Sequence, residues 1–148
     1  AAQIHFDNSK MLQPDAVYTF ASPHPGDADF VSGFPLASIP VTRFENYLDM
    51  VPQLPPTAEF IKAAEHVPLV GKLFAIADGW DYEPLGKLQY IEKSHKVIDD
   101  NPLLEPLRLA ELVAASLKGE AGLKEIADAH SHECGGGYMS GTCRDCVC

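Results

Sequence analysis

An α/β fold with a mostly parallel sheet flanked by helices is predicted by three observations. Runs rich in β-branched and aromatic residues alternate with helix-like segments, each strand-like run is closed by turn formers, and no internal repeat or low-complexity tract interrupts the pattern. The chain has 148 residues, enough for one domain or part of a larger one, and 46% of them are hydrophobic. Its formal net charge of -10 argues against a nucleic-acid partner, since affinity for a phosphate backbone rests on basic patches. No apolar run reaches the ~18 residues that would suggest a membrane-spanning helix, and no signal-peptide pattern opens the chain. The chain lacks an initiator Met and "AAQIHF" reads as the middle of a helix, so a processed product or fragment is expected.

The predicted strands are "AVYTFAS" (16–22), "IPVTRFENY" (39–47) and the more polar "GKLQYIEK" (86–93). One helix is predicted over "TAEFIKAAEH" (57–66), opened by Thr57. A second covers "EPLRLAELVAASLKG" (105–119), with apolar residues at Leu107, Ala110, Leu112, Ala114 and Leu117 and Gly119 as its stop. A weaker helix, "AGLKEIADAH", follows. The irregular stretch at about 55–85, which holds the only tryptophan, Trp80, reads as an insertion with its own small core or as a flap over a cleft.

In a parallel α/β sheet, functional groups sit in the loops that leave the carboxyl ends of strands. Asp49 follows "VTRFENY" by one residue and is backed by "MVPQLPP". Proline fixes its own φ and disfavours helix in the residue before it, so Val51 and Leu54 should both be extended and the turn rigid. A rigid turn suits an acid that must accept a hydrogen bond from a histidine ring and select its tautomer. The alternative is an aspartate that caps the following turn through the backbone.

Two stretches, "VYTFASPHPGDADF" (17–30) and "TRFENYLDMVPQLPP" (42–56), resemble the class 3 lipases, the fungal-type triacylglycerol lipases and feruloyl esterase-like α/β-hydrolases. In that family a strand ending "YTFGSPRVGN..F" precedes a second ending "R.VN..DIVP.LPP". The resemblance resumes at "GKLQYIEK" and near "DAHSHECGGGYMSGTC". Ala21 and His24 depart from the family's usual Gly and Arg. The resemblance implies that the chain is the C-terminal portion of one α/β-hydrolase domain over residues 1–148, and that carboxylic esters, often lipids, are cleaved by a Ser–His–Asp triad with no cofactor. Asp49 matches the acid.

The base should then be His130 or His132 in "IADAHSHECGGGYMSGTC". The "AHS" at 129–131 resembles the family's "AH" or "DH" and favours His130, the preferred assignment. Counting back from "SGTC" favours His132. His5, His24, His66 and His95 match no motif and read as surface or structural. The glycines of "CGGGYMSG" lack the lysine and the strand–loop–helix context of a phosphate loop.

The family's nucleophile lies in G-x-S-x-G, and no such motif occurs here. Ser22 is a poor substitute in its turn before two prolines. The serine is therefore expected on an upstream segment or companion chain. Cys134, Cys143, Cys146 and Cys148 crowd the last fifteen residues, which suggests disulfides and, with the family, secretion. The competing reading is a zinc- or disulfide-stabilised binding module built from those cysteines with His130 and His132.

Overall fold

The structure, a computed structural model, describes residues 14–35, 38–64, 80–131 and 137–138. Four strands form one sheet in the order β1–β2–β3–β4: β1 Val17–Phe20, β2 Val41–Asn46, β3 Lys87–Ile91 and β4 Val97–Asp99. The first three are parallel, with Val17 opposite Val41 and Arg43 opposite Leu88, and β4 returns antiparallel beside β3. Helix α1, Ala28–Gly33, lies in the β1–β2 connection and α2, Ala58–Ala64, in the β2–β3 connection. Helices α3, Leu104–Ser116, and α4, Glu120–Ala129, follow the sheet. The predicted α/β class holds in this form: a mixed, mostly parallel sheet flanked by helices.

The three long predicted strands and three of the four helices stand where the sequence placed them, trimmed by a few residues. Two elements had no strong sequence signal. Helix α1 is one short segment started by Asp27, whose side chain accepts the Phe30 N–H at 2.9 Å. Strand β4 is three residues long and follows a turn in which His95 takes a positive φ of 63° without glycine.

Alternation assigns the two faces of β2. Val41, Arg43 and Glu45 point to one side; Thr42, Phe44 and Asn46 point to the other. Leu88 and Tyr90 of β3 share the first side and pack with Leu104 of α3. A second cluster joins Phe60 of α2 to Leu112 of α3, with Met50, Leu109 and Ile126 against it. The helix face that α3 buries differs from the predicted one. Leu107 and Leu117 are exposed, whereas Leu104, Leu112 and Ala115 are buried.

The reason is electrostatic. Glu45 is 1% exposed and bonded to both Arg43 and Arg108, with Gln53 donating to it at 3.3 Å. Glu111 of α3 accepts from the Tyr90 hydroxyl at 2.6 Å. Arg108 and Glu111 thus occupy the sheet-facing side of α3, rotating Leu107 outward. Burial, followed by the neighbouring Arg108 charge, lowers the Arg43 pKa to about 10. A carboxylate and two guanidiniums removed from water are tolerable only because each has a charged partner.

Three expectations need correction or restriction. Val51 is not extended: Val51–Gln53 is a 3-10 turn, held by Gln53 N–H to Met50 O at 3.0 Å, while Leu54 is extended as expected. The proline bias on the preceding residue yields there to a side-chain hydrogen bond described below. The disulfide expectation is carried no further: Cys134, Cys143, Cys146 and Cys148 all lie outside the described residues, among which no cysteine pair stands at disulfide distance. Crowding in sequence does not by itself impose the Cα separation of ~4.4–6.8 Å that a bridge requires. About half of the expected insertion, residues 65–79, also lies outside the described residues. No described helix is long and apolar enough to cross a membrane.

Replacing Glu45 by Gln takes the carboxylate from buried Arg43 and leaves Arg108 with the exposed Glu105 at 3.6 Å. A loss of about 3–5 kcal/mol is expected, read as a lower denaturation midpoint at unchanged m-value. An unchanged midpoint would show that the arginines do not need this carboxylate.

Candidate active site

Strand β2 ends at Asn46, and the chain turns through Tyr47 and Leu48 to Asp49. Leu48 has a φ of 60°, and the Asp49 N–H donates to the Asn46 carbonyl at 3.1 Å. This tight reversal at the carboxyl end of a central parallel strand turns the Asp49 side chain inward. The residue is 5% exposed, and its side chain is fully buried.

A buried carboxylate needs donors, because losing hydration without replacement costs several kcal/mol. Asp49 has three. Its Oδ1 accepts the Val51 N–H at 2.9 Å, which builds the turn that overrides the extended preference of Val51. Its Oδ2 accepts the Tyr138 hydroxyl. The Nδ1 of His130 faces both oxygens, at 3.1 and 3.0 Å. The same carboxylate caps its own turn and meets a histidine ring.

His130 arrives from the other end of the chain. Helices α3 and α4 are joined through Gly119, whose φ of 64° permits the sharp link, and α4 ends with His130 as its C-cap. Ala129 is buried, while the His130 side chain is 47% exposed. A carboxylate can only accept, so Nδ1 carries the proton toward Asp49 when the ring is neutral. Nε2 is then the lone-pair nitrogen on the far side of the ring, the arrangement a general base requires.

Tyr138 was not singled out by sequence reasoning, although it lies in the "GYMSGTC" segment used to weigh the two histidines. Its hydroxyl donates to Asp49 and accepts the Asn46 N–H at 3.1 Å. Burial first, then the charge and hydrogen bond of Asp49, push its pKa well above the usual phenol value, so it remains a donor across the working pH range. Its ring packs edge-on to Phe20, which stacks on Phe44 at 5.0 Å. Asn46 was also missed as a site residue; its Nδ2 donates to the Ala129 carbonyl at 2.8 Å.

The other candidates are resolved less fully. His132 lies outside the described residues, as do His5, His66 and the cysteines of the metal-binding alternative. Among the described residues no group of three or more His, Cys, Asp or Glu is placed to hold a metal. The Ser22 hydroxyl donates to its neighbour's Pro23 carbonyl at 3.2 Å. His95 is exposed in the β3–β4 turn. His24 is structural: its N–H donates to Leu54 O at 2.9 Å and its Nδ1–H to Pro55 O at 2.8 Å, clamping the proline turn behind Asp49.

A cleft of about 770 Å3 lies on the Arg43 side of β2, lined by His24, Arg43, Gln53, Glu105 and Arg108 among others, but not by Asp49 or His130. The Asp49–His130 contact lies outside it. Compared with known protein families, with characterised proteins and with solved structures, this chain matches none. The site therefore stands on its geometry.

Tyr138→Phe removes one donor from Asp49 and the acceptor of the Asn46 N–H, and should cost about 1.5–3 kcal/mol in urea unfolding. A wild-type midpoint would mean the hydroxyl contributes nothing to the buried carboxylate. For His24, burial is the main cause that lowers the pKa from 6.5 to about 4, with the Arg43 and Arg108 charges adding to it. Between those values the unfolded chain binds a proton that the folded ring refuses. The stability His24 permits is full above pH 6.5 and declines as pH falls toward 4. Thermal melts should show His24→Asn flattening that decline by about 1–3 kcal/mol relative to wild type; parallel curves for the two proteins would contradict it.

Proposed function

We propose that this chain supplies the acid and the base of a serine ester hydrolase of the class 3 lipase kind, as the C-terminal portion of an α/β-hydrolase domain. The observation that carries the reading is the pairing of buried Asp49 with the Nδ1 side of a half-exposed His130, at the carboxyl ends of parallel strands. The motif resemblance of residues 17–56 supports it, because the residue that matches the family's acid is the one found against a histidine. His130, the preferred candidate base, is the one whose ring meets Asp49 among the described residues.

In this reading the serine comes from a G-x-S-x-G segment outside the present sequence. Strand β1 is the outermost strand of the sheet among the described residues, and Phe20 on it is 50% exposed. An apolar edge of that kind suits the addition of another parallel strand. Such a strand would end beside β1, on the same side of the sheet as Asp49.

The chemistry proceeds in two halves. Nε2 of His130 takes the serine hydroxyl proton as the serine oxygen bonds to the ester carbonyl carbon, and the carbonyl π electrons move to oxygen. Asp49 stabilises the imidazolium so formed. Collapse of the tetrahedral species breaks the bond to the alcohol oxygen, which leaves with the proton from Nε2. Water then repeats the sequence on the acyl-enzyme, releasing the carboxylic acid and restoring serine. The Tyr138 hydroxyl and the Val51 N–H keep the carboxylate oriented through both halves. The substrate is a carboxylic ester, with lipids and feruloyl-type esters as the family-implied classes; an extracellular location rests on the resemblance alone.

The test is hydrolysis of a short-chain ester by the complete protein. Asp49→Asn should lower kcat by about 10⁴-fold and His130→Ala by about as much or more, with little change in KM, while His132→Ala should retain most turnover. Wild-type turnover in Asp49→Asn would remove this acid from the mechanism, and loss confined to His132→Ala would move the base.

A further inference from the structure

Asn46 bonds to Asp49, to Tyr138 and to the residue before His130, without touching the ring itself. Its backbone carbonyl accepts the Asp49 N–H at 3.1 Å. Its backbone N–H donates to the Tyr138 hydroxyl at 3.1 Å, and that hydroxyl donates onward to Asp49. Its side-chain amide donates to the carbonyl of Ala129, the residue immediately before His130, at 2.8 Å. Asn46 is 5% exposed and Ala129 3%, so water does not compete for these bonds.

The side-chain bond has a specific physical reason. The last carbonyls of a helix lack intrahelical partners, and Ala129 closes α4. A buried terminal carbonyl must find a donor or carry a desolvation cost of about 1–3 kcal/mol. The Asn46 amide is that donor, delivered from the end of β2 across 83 positions of sequence. It ties the helix that carries the base to the strand that carries the acid. Without it, the turn of chain bearing His130 is held to β2 through the Asp49–His130 contact and the Tyr138 hydroxyl.

We infer that Asn46 is a positioning residue: its amide fixes the end of α4 and thereby the orientation of the His130 ring on Asp49. The kinetic consequence rests on the hydrolase reading; the structural consequence does not. Aspartate has the same shape, but as a carboxylate it offers no donor and places a negative charge against the Ala129 oxygen. Alanine removes the contact. A misplacement of the ring by about 1 Å can cost roughly 10²-fold in rate, and substrate contacts are untouched, so the loss belongs in kcat.

Two readouts in the complete protein separate the claims. In proton NMR, the low-field signal of the His130 Nδ1–H bonded to Asp49 should be sharp in wild type and broadened or lost in Asn46→Ala and Asn46→Asp, while both variants still melt cooperatively. On a short-chain ester both should lose about 10²-fold in kcat at nearly constant KM. A wild-type signal together with wild-type kcat in both variants overturns the inference. If both variants unfold, exchange of the Asn46 side-chain amide protons in wild type decides: protection supports the bond to Ala129, and exchange at the rate of an exposed amide overturns it. If the wild-type protein hydrolyses no ester, the hydrolase reading fails and the NMR result still judges Asn46.

Discussion

One buried carboxylate organises this part of the molecule. The Asp49 side chain has no solvent contact, so each of its oxygens must be satisfied from within the fold. The donors come from three places: the adjacent backbone at Val51, a tyrosine at 138 and a histidine at 130. Two of these lie more than eighty residues away in sequence. Satisfying one charge therefore closes the distance between β2 and the C-terminal helices, and the result is a histidine ring with a defined hydrogen-bonded face.

The rest of the architecture supplies rigidity to that arrangement. On one face of β2, Glu45 gathers Arg43 and Arg108 and so fastens α3 to the strand. On the other face, Phe44 and Phe20 stack, with the Tyr138 ring edge-on to Phe20. The short Gly119 link then returns α4 so that its last residue reaches the end of the strand. His24 holds the proline turn from behind through two carbonyls in succession, Leu54 and Pro55. A buried, neutral imidazole is suited to this because it donates through Nδ1 without placing a third cation beside two arginines.

Charge burial explains where simple pattern reading goes astray. Hydrophobic periodicity over 105–119 points Leu107 and Leu117 toward the core, yet both are exposed. Arg108 and Glu111 take the inward positions because Glu45 and the Tyr90 hydroxyl are already there to receive them. The helix is legible in the sequence; its rotation is not. Likewise the proline rule extends Leu54 correctly and fails at Val51, where the Asp49 side chain captures the N–H and winds a 3-10 turn. In both places a local preference of at most a kcal/mol or so yields to a buried polar group that must be paired.

The sequence by itself determined the mostly parallel α/β class, the positions of the principal strands and helices, and the placing of Asp49 at a strand's carboxyl end. These follow from local pattern: periods of 2 and 3.6, turn formers, and proline restriction. It also narrowed the partner of Asp49 to two histidines, with a preference for His130. Only the tertiary structure brought His130 to the carboxylate, enlisted Tyr138 and Asn46, and set the face that α3 buries. Those outcomes depend on which buried donors and acceptors meet across the sheet, and a one-dimensional pattern carries no record of such meetings.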